Sequence, residues 1–116
     1  MKKILIIDDD SVSTFLLSKI LTDNNFDTFV CYSGCEGITK LTNTNYNLVT
    51  MDIAMPILNG FDTIDIIRKF SNVPILIITA MMDVENTLKI KKLKLPFLLK
   101  PIIPTELMKK VKEIFE

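Results

Sequence analysis

The chain has 116 residues, 48% of them apolar, with 14 basic and 14 acidic side chains and a formal net charge of +0. That length sets one domain over residues 1–116, the apolar content supports a packed core, and neutrality gives no general pull on nucleic acid or acidic lipid. No histidine is present, which excludes histidine catalysis and histidine metal ligation, and two cysteines are too few for a disulfide scaffold.

Met1-Lys2-Lys3 leads into four aliphatics and then three aspartates, which is too short an apolar run for a signal peptide or a membrane span. A cytoplasmic protein is expected. The run Ile4-Leu5-Ile6-Ile7 suits a strand buried on both faces. Asp10 or Ser11 can cap a helix after it, with Val12, Phe15, Leu16 and Ile20 on one stripe. Asn24-Asn25 is a stop signal, and Thr28 to Tyr32 reads as a second strand. A weak helix follows from Ser33 to about Asn43, and Cys31 and Cys35, on either side of its start, read as small packing residues in a reducing compartment.

Asn47 to Met51 reads as the third strand, ending at Asp52, and a loop with Pro56 and Asn59-Gly60 follows. Phe61, Ile64 and Ile67 mark a helix face. Ile75-Leu76-Ile77-Ile78 is the fourth strand. Asp83 can cap a helix carrying Val84 and Leu88, whose lysines at 89, 91, 92 and 94 read as a solvated face. Phe97-Leu98-Leu99 is a short fifth strand, and Pro104 and Thr105 open a last helix with Leu107, Val111, Ile114 and Phe115 inward. Strands alternating with helices predict an α/β fold with a five-stranded parallel sheet and helices on both faces.

The strands of such a sheet end along one edge, where ligands bind at the switch in strand order. Strand one brings Asp8, Asp9 and Asp10 to that edge, strand three Asp52, strand four Thr79 and Ala80, and strand five Lys100. Two carboxylates about 4 Å apart repel by roughly 4 kcal/mol at an effective dielectric near 20, so crowded acids call for a cation. Hard carboxylate oxygens select Mg²⁺ or a similar ion. A metal, a lysine and a hydroxyl beside a free carboxylate make a phosphoryl-transfer constellation.

With these residues on the page, the sequence resembles the receiver domain of two-component response regulators. The resemblance rests on Ile4-Leu5-Ile6-Ile7-Asp8-Asp9, on Met51-Asp52-Ile53-Ala54-Met55-Pro56 with Asn59-Gly60, on Ile77-Ile78-Thr79-Ala80, and on Leu98-Leu99-Lys100-Pro101. It implies the flavodoxin-like strand order 2-1-3-4-5 and a phosphorylation switch rather than an enzyme. Asp52 would be the phosphoacceptor. Mg²⁺ would be bound by Asp9, Asp52 and the backbone carbonyl of Ala54, with Asp8 acting through water. Lys100, Thr79 and Ala80 would bind the phosphoryl group, Phe97 would swing with Thr79, and the Lys100-Pro101 bond would be cis. The implied donor is a histidine kinase or a histidine phosphotransfer protein. The output would be a downstream protein or an effector domain absent from this sequence, read from the face of the fourth helix, fifth strand and fifth helix. Neither nucleic acid nor membrane is expected to touch this domain directly.

Three departures qualify the resemblance. Ala54 and Met81 stand where the family flanks the water that attacks the acyl phosphate, and neither side chain orients a water, so slow self-dephosphorylation is expected. Lys94-Leu95-Pro96 replaces the usual glycine-containing approach to strand five, in a segment about one residue short. Phe97 lacks a tyrosine's hydroxyl. Two rivals stand beside this reading: a receiver-like module that only binds protein, and a phosphatase resembling the haloacid dehalogenase class with Asp8 as nucleophile.

Overall fold

The computed structural model describes residues 1–80 and 83–116. Five parallel strands, β1 (Lys3–Ile7), β2 (Asp27–Cys31), β3 (Leu48–Met51), β4 (Ile75–Thr79) and β5 (Phe97–Leu99), form one sheet in the order β2-β1-β3-β4-β5. The helices α1 (Ser11–Asp23), α2 (Gly34–Asn43), α3 (Gly60–Ile67), α4 (Val84–Leu93) and α5 (Pro104–Phe115) alternate with them. In register, Ile7 lies beside Met51, Met51 beside Ile77, and Thr79 beside Leu99, so β1 and β3 end level and β4 and β5 run two residues further along the same edge.

The aliphatic runs are continuous because both faces of the sheet are covered. Leu5 and Ile7 of β1, Val49 and Met51 of β3, and Ile75 and Ile77 of β4 pack with Leu41 of α2, Ile64 and Ile67 of α3, and Ile90 of α4. The alternate residues Ile4, Ile6, Leu48, Leu76 and Ile78 pack with Leu17 and Leu21 of α1 and with Leu107 and Val111 of α5. Thr50 Oγ1, a hydroxyl in this core, has no hydrogen-bond partner among the described residues.

Helix α1 is turned from the face read in the sequence. Ser13, Thr14, Leu17 and Leu21 point inward, while Val12, Phe15 and Leu16 stand exposed and Ile20 is half-buried. The reason is local. Ser13 Oγ donates to Asp10 Oδ2 at 2.9 Å and Thr14 Oγ1 to the Ser11 carbonyl at 3.0 Å, so both hydroxyls are satisfied before burial and cost little. Small side chains then let the helix start close to the sheet, and Leu17 and Leu21, four apart, supply the apolar contact. In α4 likewise, Ile90 is buried and Val84 and Leu88 are exposed. The cysteines divide as well: Cys31 is in the core, its thiol pushed up to about 11 by burial, and Cys35 is exposed. Lys94 takes the left-handed conformation at the end of α4, φ 56°, where a glycine would be unstrained.

Replacing Leu17 by alanine is expected to cost about 2–5 kcal/mol, whereas Phe15→Ala costs less than about 0.5 kcal/mol, in urea denaturation. Equal costs would restore the face first read in the sequence.

Candidate functional site

Each acid is placed by the end of a strand. The Asp8 N–H donates to the Cys31 carbonyl at 3.1 Å, and the Asp52 N–H donates to the Ile7 carbonyl at 3.1 Å. The sheet's hydrogen bonding therefore runs one residue past β1 and β3 and carries both aspartates with it. Their side chains are almost fully buried, at 2% and 7% exposure.

The two carboxylates are held alike. Asp8 Oδ1 accepts from the Asp10 N–H at 2.9 Å, and Asp52 Oδ1 accepts from the Ala54 N–H at 3.1 Å. The other oxygen of each faces the same ammonium: Lys100 Nζ lies 2.9 Å from Asp8 Oδ2 and 3.1 Å from Asp52 Oδ2. Lys100 reaches there because its N–H donates to the Thr79 carbonyl at 3.0 Å, extending the β4–β5 pairing. The Lys100-Pro101 bond is cis.

Burial raises the pKa of Asp8, outweighing the lowering by its hydrogen bonds from Lys100 and the Asp10 N–H. For Lys100 the balance runs the other way. Burial would lower it, but its hydrogen bonds to Asp8 and Asp52 together leave it raised. Its pairing therefore stabilises the fold below the ordinary lysine value and is lost as pH rises through the raised one.

Carboxylate oxygens of Asp8, Asp9 and Asp52 lie within 4.8 Å of one another. Asp9 is exposed and Asp8 and Asp52 are buried, so the cluster opens outward on the Asp9 side. Three hard anionic oxygens suit an oxygen-preferring divalent cation. The fit is supported by Lys100, a positive charge already drawn to the same oxygens.

Thr79 is fully buried at the end of β4 and Ala80, just past it, is exposed. Phe97 pairs with Ile77, two residues short of the edge, and packs against the core beneath α2, α3 and α4. Met81 lies outside the described residues. Asp10 sits outside the metal cluster. It caps α1, accepting from the Val12 N–H at 3.1 Å and from Ser13, and those two bonds, Ser13 first, lower its pKa. The sequence reading had the cap but missed that the same turn aims the Asp10 amide at Asp8; the Asp-x-x-Ser spacing was the available signal.

The loop after Asp52 also works differently from its sequence signature. Asn59-Gly60 is the start of α3, with Asn59 Oδ1 accepting from the Asp62 N–H at 3.0 Å. Gly60 is needed for close approach: a Cβ there would meet the Asp52 carbonyl oxygen at 2.5 Å and Ile53 Cα at 2.6 Å. The left-handed residue is Ile57, fully exposed at φ 67°, in a tight turn where the Leu58 N–H donates to the Pro56 carbonyl at 2.7 Å.

A parallel sheet in the order 2-1-3-4-5, with acids and a lysine gathered at the carboxyl ends of β1, β3 and β5, is a doubly wound fold with its site at the switch in strand order. The chain belongs to the response regulator receiver domain family, whose model matches residues 4–112. It is 40% identical over 115 residues to a transcriptional regulatory protein CpxR homolog from Haemophilus influenzae, covering 98% of this chain and 50% of that protein. It is 32% identical over 112 residues to the DNA-binding response regulator MtrA of Mycolicibacterium paratuberculosis, covering 96% and 50%. The chain thus spans about half the length of these relatives. Among solved structures, a Francisella response regulator receiver domain superposes with a TM-score of 0.89 at 29% identity, covering 99% of this chain and 97% of that one. A two-component response regulator from Clostridium difficile gives 0.92 at 27% identity, covering 99% and 96%. Receiver domains are the phosphorylation-dependent switches of two-component systems, and this chain is one of them. Among the described residues, no helix is long and apolar enough to cross a membrane.

If Lys100 is the internal counter-ion of the acid cluster, Lys100→Met is expected to destabilise the metal-free protein by about 2 kcal/mol or more. Excess Mg²⁺ should recover more stability in the variant than in the native chain. Urea denaturation in chelator and in Mg²⁺ reads both effects, and equal recovery would separate Lys100 from the cation site.

Proposed function

We propose that residues 1–116 form a single receiver module that takes a phosphoryl group onto Asp52 from a histidine kinase or a histidine phosphotransfer protein. The observation that carries this is the state of Asp52: an ionisable carboxylate at the end of the central strand, inside a cluster of acids, with one oxygen on the Ala54 amide and the other on Lys100. Asp8, Asp9, Asp52 and the carbonyl of Ala54 would hold Mg²⁺. That ion, when bound, neutralises negative charge on the transferring oxygens.

The chain's own residues do the rest. An Asp52 oxygen attacks phosphorus as the bond to the donor's imidazole breaks. Lys100 moves its ammonium from the carboxylate pair to a phosphoryl oxygen. The Thr79 hydroxyl and the Ala80 backbone complete the cradle. Phosphorylation adds roughly −1.5 to −2 charge units at Asp52, and the inward shift of Thr79 makes room for Phe97. The face of α4, β5 and α5 then repacks as a two-state population shift, which a downstream protein or an effector domain reads. The role is that of a cytoplasmic signalling acceptor rather than a turnover enzyme. No direct nucleic-acid contact is assigned to this neutral module.

With Mg²⁺ and acetyl phosphate, intact mass is expected to rise by one phosphoryl in the native protein and not in Asp52→Asn. A phosphoryl retained on the variant would move the acceptor elsewhere. Because Ala54 carries no group to orient an attacking water, the native phosphoryl should outlast that of Ala54→Asn in a chase after donor removal. A shorter native lifetime would show that water is positioned by another residue.

A further inference from the structure

Glycine stands at the first position of α3 for want of space, not for backbone freedom. Gly60 is not left-handed, yet a Cβ on it would meet two backbone atoms, the Asp52 carbonyl oxygen at 2.5 Å and Ile53 Cα at 2.6 Å. The Gly60 N–H also donates to the Ile53 carbonyl at 3.1 Å, so α3 starts directly on the peptide that follows Asp52. Helix α2 closes on the same turn of α3: a Cβ at Gly34 would run into Thr63 Oγ1 and lie 3.3 Å from the Leu58 carbonyl oxygen. Thr63 is fully buried, and its hydroxyl donates to the Asn59 carbonyl at 2.8 Å. The first turn of α3 is therefore fitted against α2 and against the Asp52–Ile53 peptide at once, with no room for a methyl at either glycine.

The loop of residues 53–60 has no slack. The hydrogen bond from the Gly60 N–H to the Ile53 carbonyl closes it. Within it Ile57 is left-handed, φ 67°, in a turn where the Leu58 N–H donates to the Pro56 carbonyl at 2.7 Å. A β-branched residue takes that conformation only where its surroundings impose it. The Ile57 side chain is fully exposed, so no packing of its own holds it there, and the constraint comes from the two ends of the loop. Ala54 belongs to this loop, and its N–H donates to Asp52 Oδ1 at 3.1 Å. A push at Gly60 is thus passed to the Ala54 peptide and the Asp52 carboxylate instead of being absorbed.

We propose that Gly60, which has no side chain to offer a ligand, is a positioning residue for the divalent cation. By letting α3 start on the Asp52–Ile53 peptide, it sets the spacing of the Asp52 carboxylate and the Ala54 carbonyl, and with it the preference of the site for Mg²⁺ over Ca²⁺. The inference rests on Asp52 and Ala54 being cation ligands. Mg²⁺ demands near-octahedral oxygens at about 2.0–2.1 Å, whereas Ca²⁺ accepts about 2.3–2.6 Å and irregular geometry. A displaced peptide therefore costs the smaller ion more. Alanine is intrinsically the better helix former, so what opposes Gly60→Ala is the contact with the Asp52 peptide and not helix propensity.

Mg²⁺ and Ca²⁺ are titrated separately into chelator-stripped protein by isothermal calorimetry, for the native chain, Gly60→Ala, Ile57→Gly and Val111→Ala, with folding checked by circular dichroism. Val111, packed between α5 and the sheet, supplies a loss of stability that does not touch the loop. Gly60→Ala is expected to weaken Mg²⁺ binding about ten-fold or more and Ca²⁺ binding less than about three-fold, while Val111→Ala leaves both within about two-fold. Ile57→Gly makes no clash, because glycine takes the left-handed conformation freely, so it decides the matter if Gly60→Ala does not fold. The slack it introduces should weaken Mg²⁺ about three-fold or more, with Ca²⁺ changed less. A folded Gly60→Ala that keeps native Mg²⁺ affinity, or loses both ions equally, overturns the positioning role. Native Mg²⁺ affinity in Ile57→Gly does the same where Gly60→Ala is unfolded. Failure of the native chain to bind Mg²⁺ overturns the ligand reading and the inference together.

Discussion

One ammonium holds the functional end of this molecule together. Lys100 bridges Asp8 and Asp52, two carboxylates that the sheet's own hydrogen bonding forces into the same small recess. Burial alone would disfavour every charge involved, and the arrangement persists because each acid oxygen finds a donor: backbone N–H groups on one side, the lysine on the other. The lysine in turn depends on β5, a strand of three residues at the edge of the sheet. Least pairing therefore lies beneath the residue that bridges the two acids. Short edge elements open at lower free energy than central ones.

The surroundings of Asp52 are unequal. On the β1 side stand the carboxylates of Asp8 and Asp9, and on the β3–α3 side the chain turns away through Ala54, beside a cavity whose polar lining is Asn59, Asn86 and Lys89.

Much of this was legible in the sequence for physical reasons. Unbroken aliphatic runs such as Ile4–Ile7 and Ile75–Ile78 have one good solution, a strand covered on both faces, and the residues after them are carried to the same edge. The orientation of α1 was not legible, because apolar side chains surround that helix and inward burial goes to Ser13 and Thr14, whose hydroxyls are already satisfied within the turn. The loop after Asp52 misled in a similar way. Asn59-Gly60 has the composition of a turn, yet the left-handed backbone falls at Ile57, and Gly60 is required by the nearness of the Asp52 peptide. The approach to β5, marked as unusual in sequence, proves to be a helix end where Lys94 occupies a glycine-like conformation. The lysine-rich α4, read as a solvated face, does keep Lys89 largely exposed, but its ammonium lies over the Phe61 ring of α3, and a cation over an aromatic ring on a neighbouring helix has no signature along one chain.

The two cysteines, unremarkable as packing residues, differ in a practical respect. Cys31 is sealed in the core with its thiol held protonated, whereas Cys35 is exposed and shares a cavity of about 180 Å³ with Pro56, Ile57 and Leu58, the loop that follows Asp52. The chain thus carries a single exposed thiol, beside the loop that follows Asp52. A fluorophore or spin label attached there would watch the loop directly, in real time, without altering any side chain of the acid cluster.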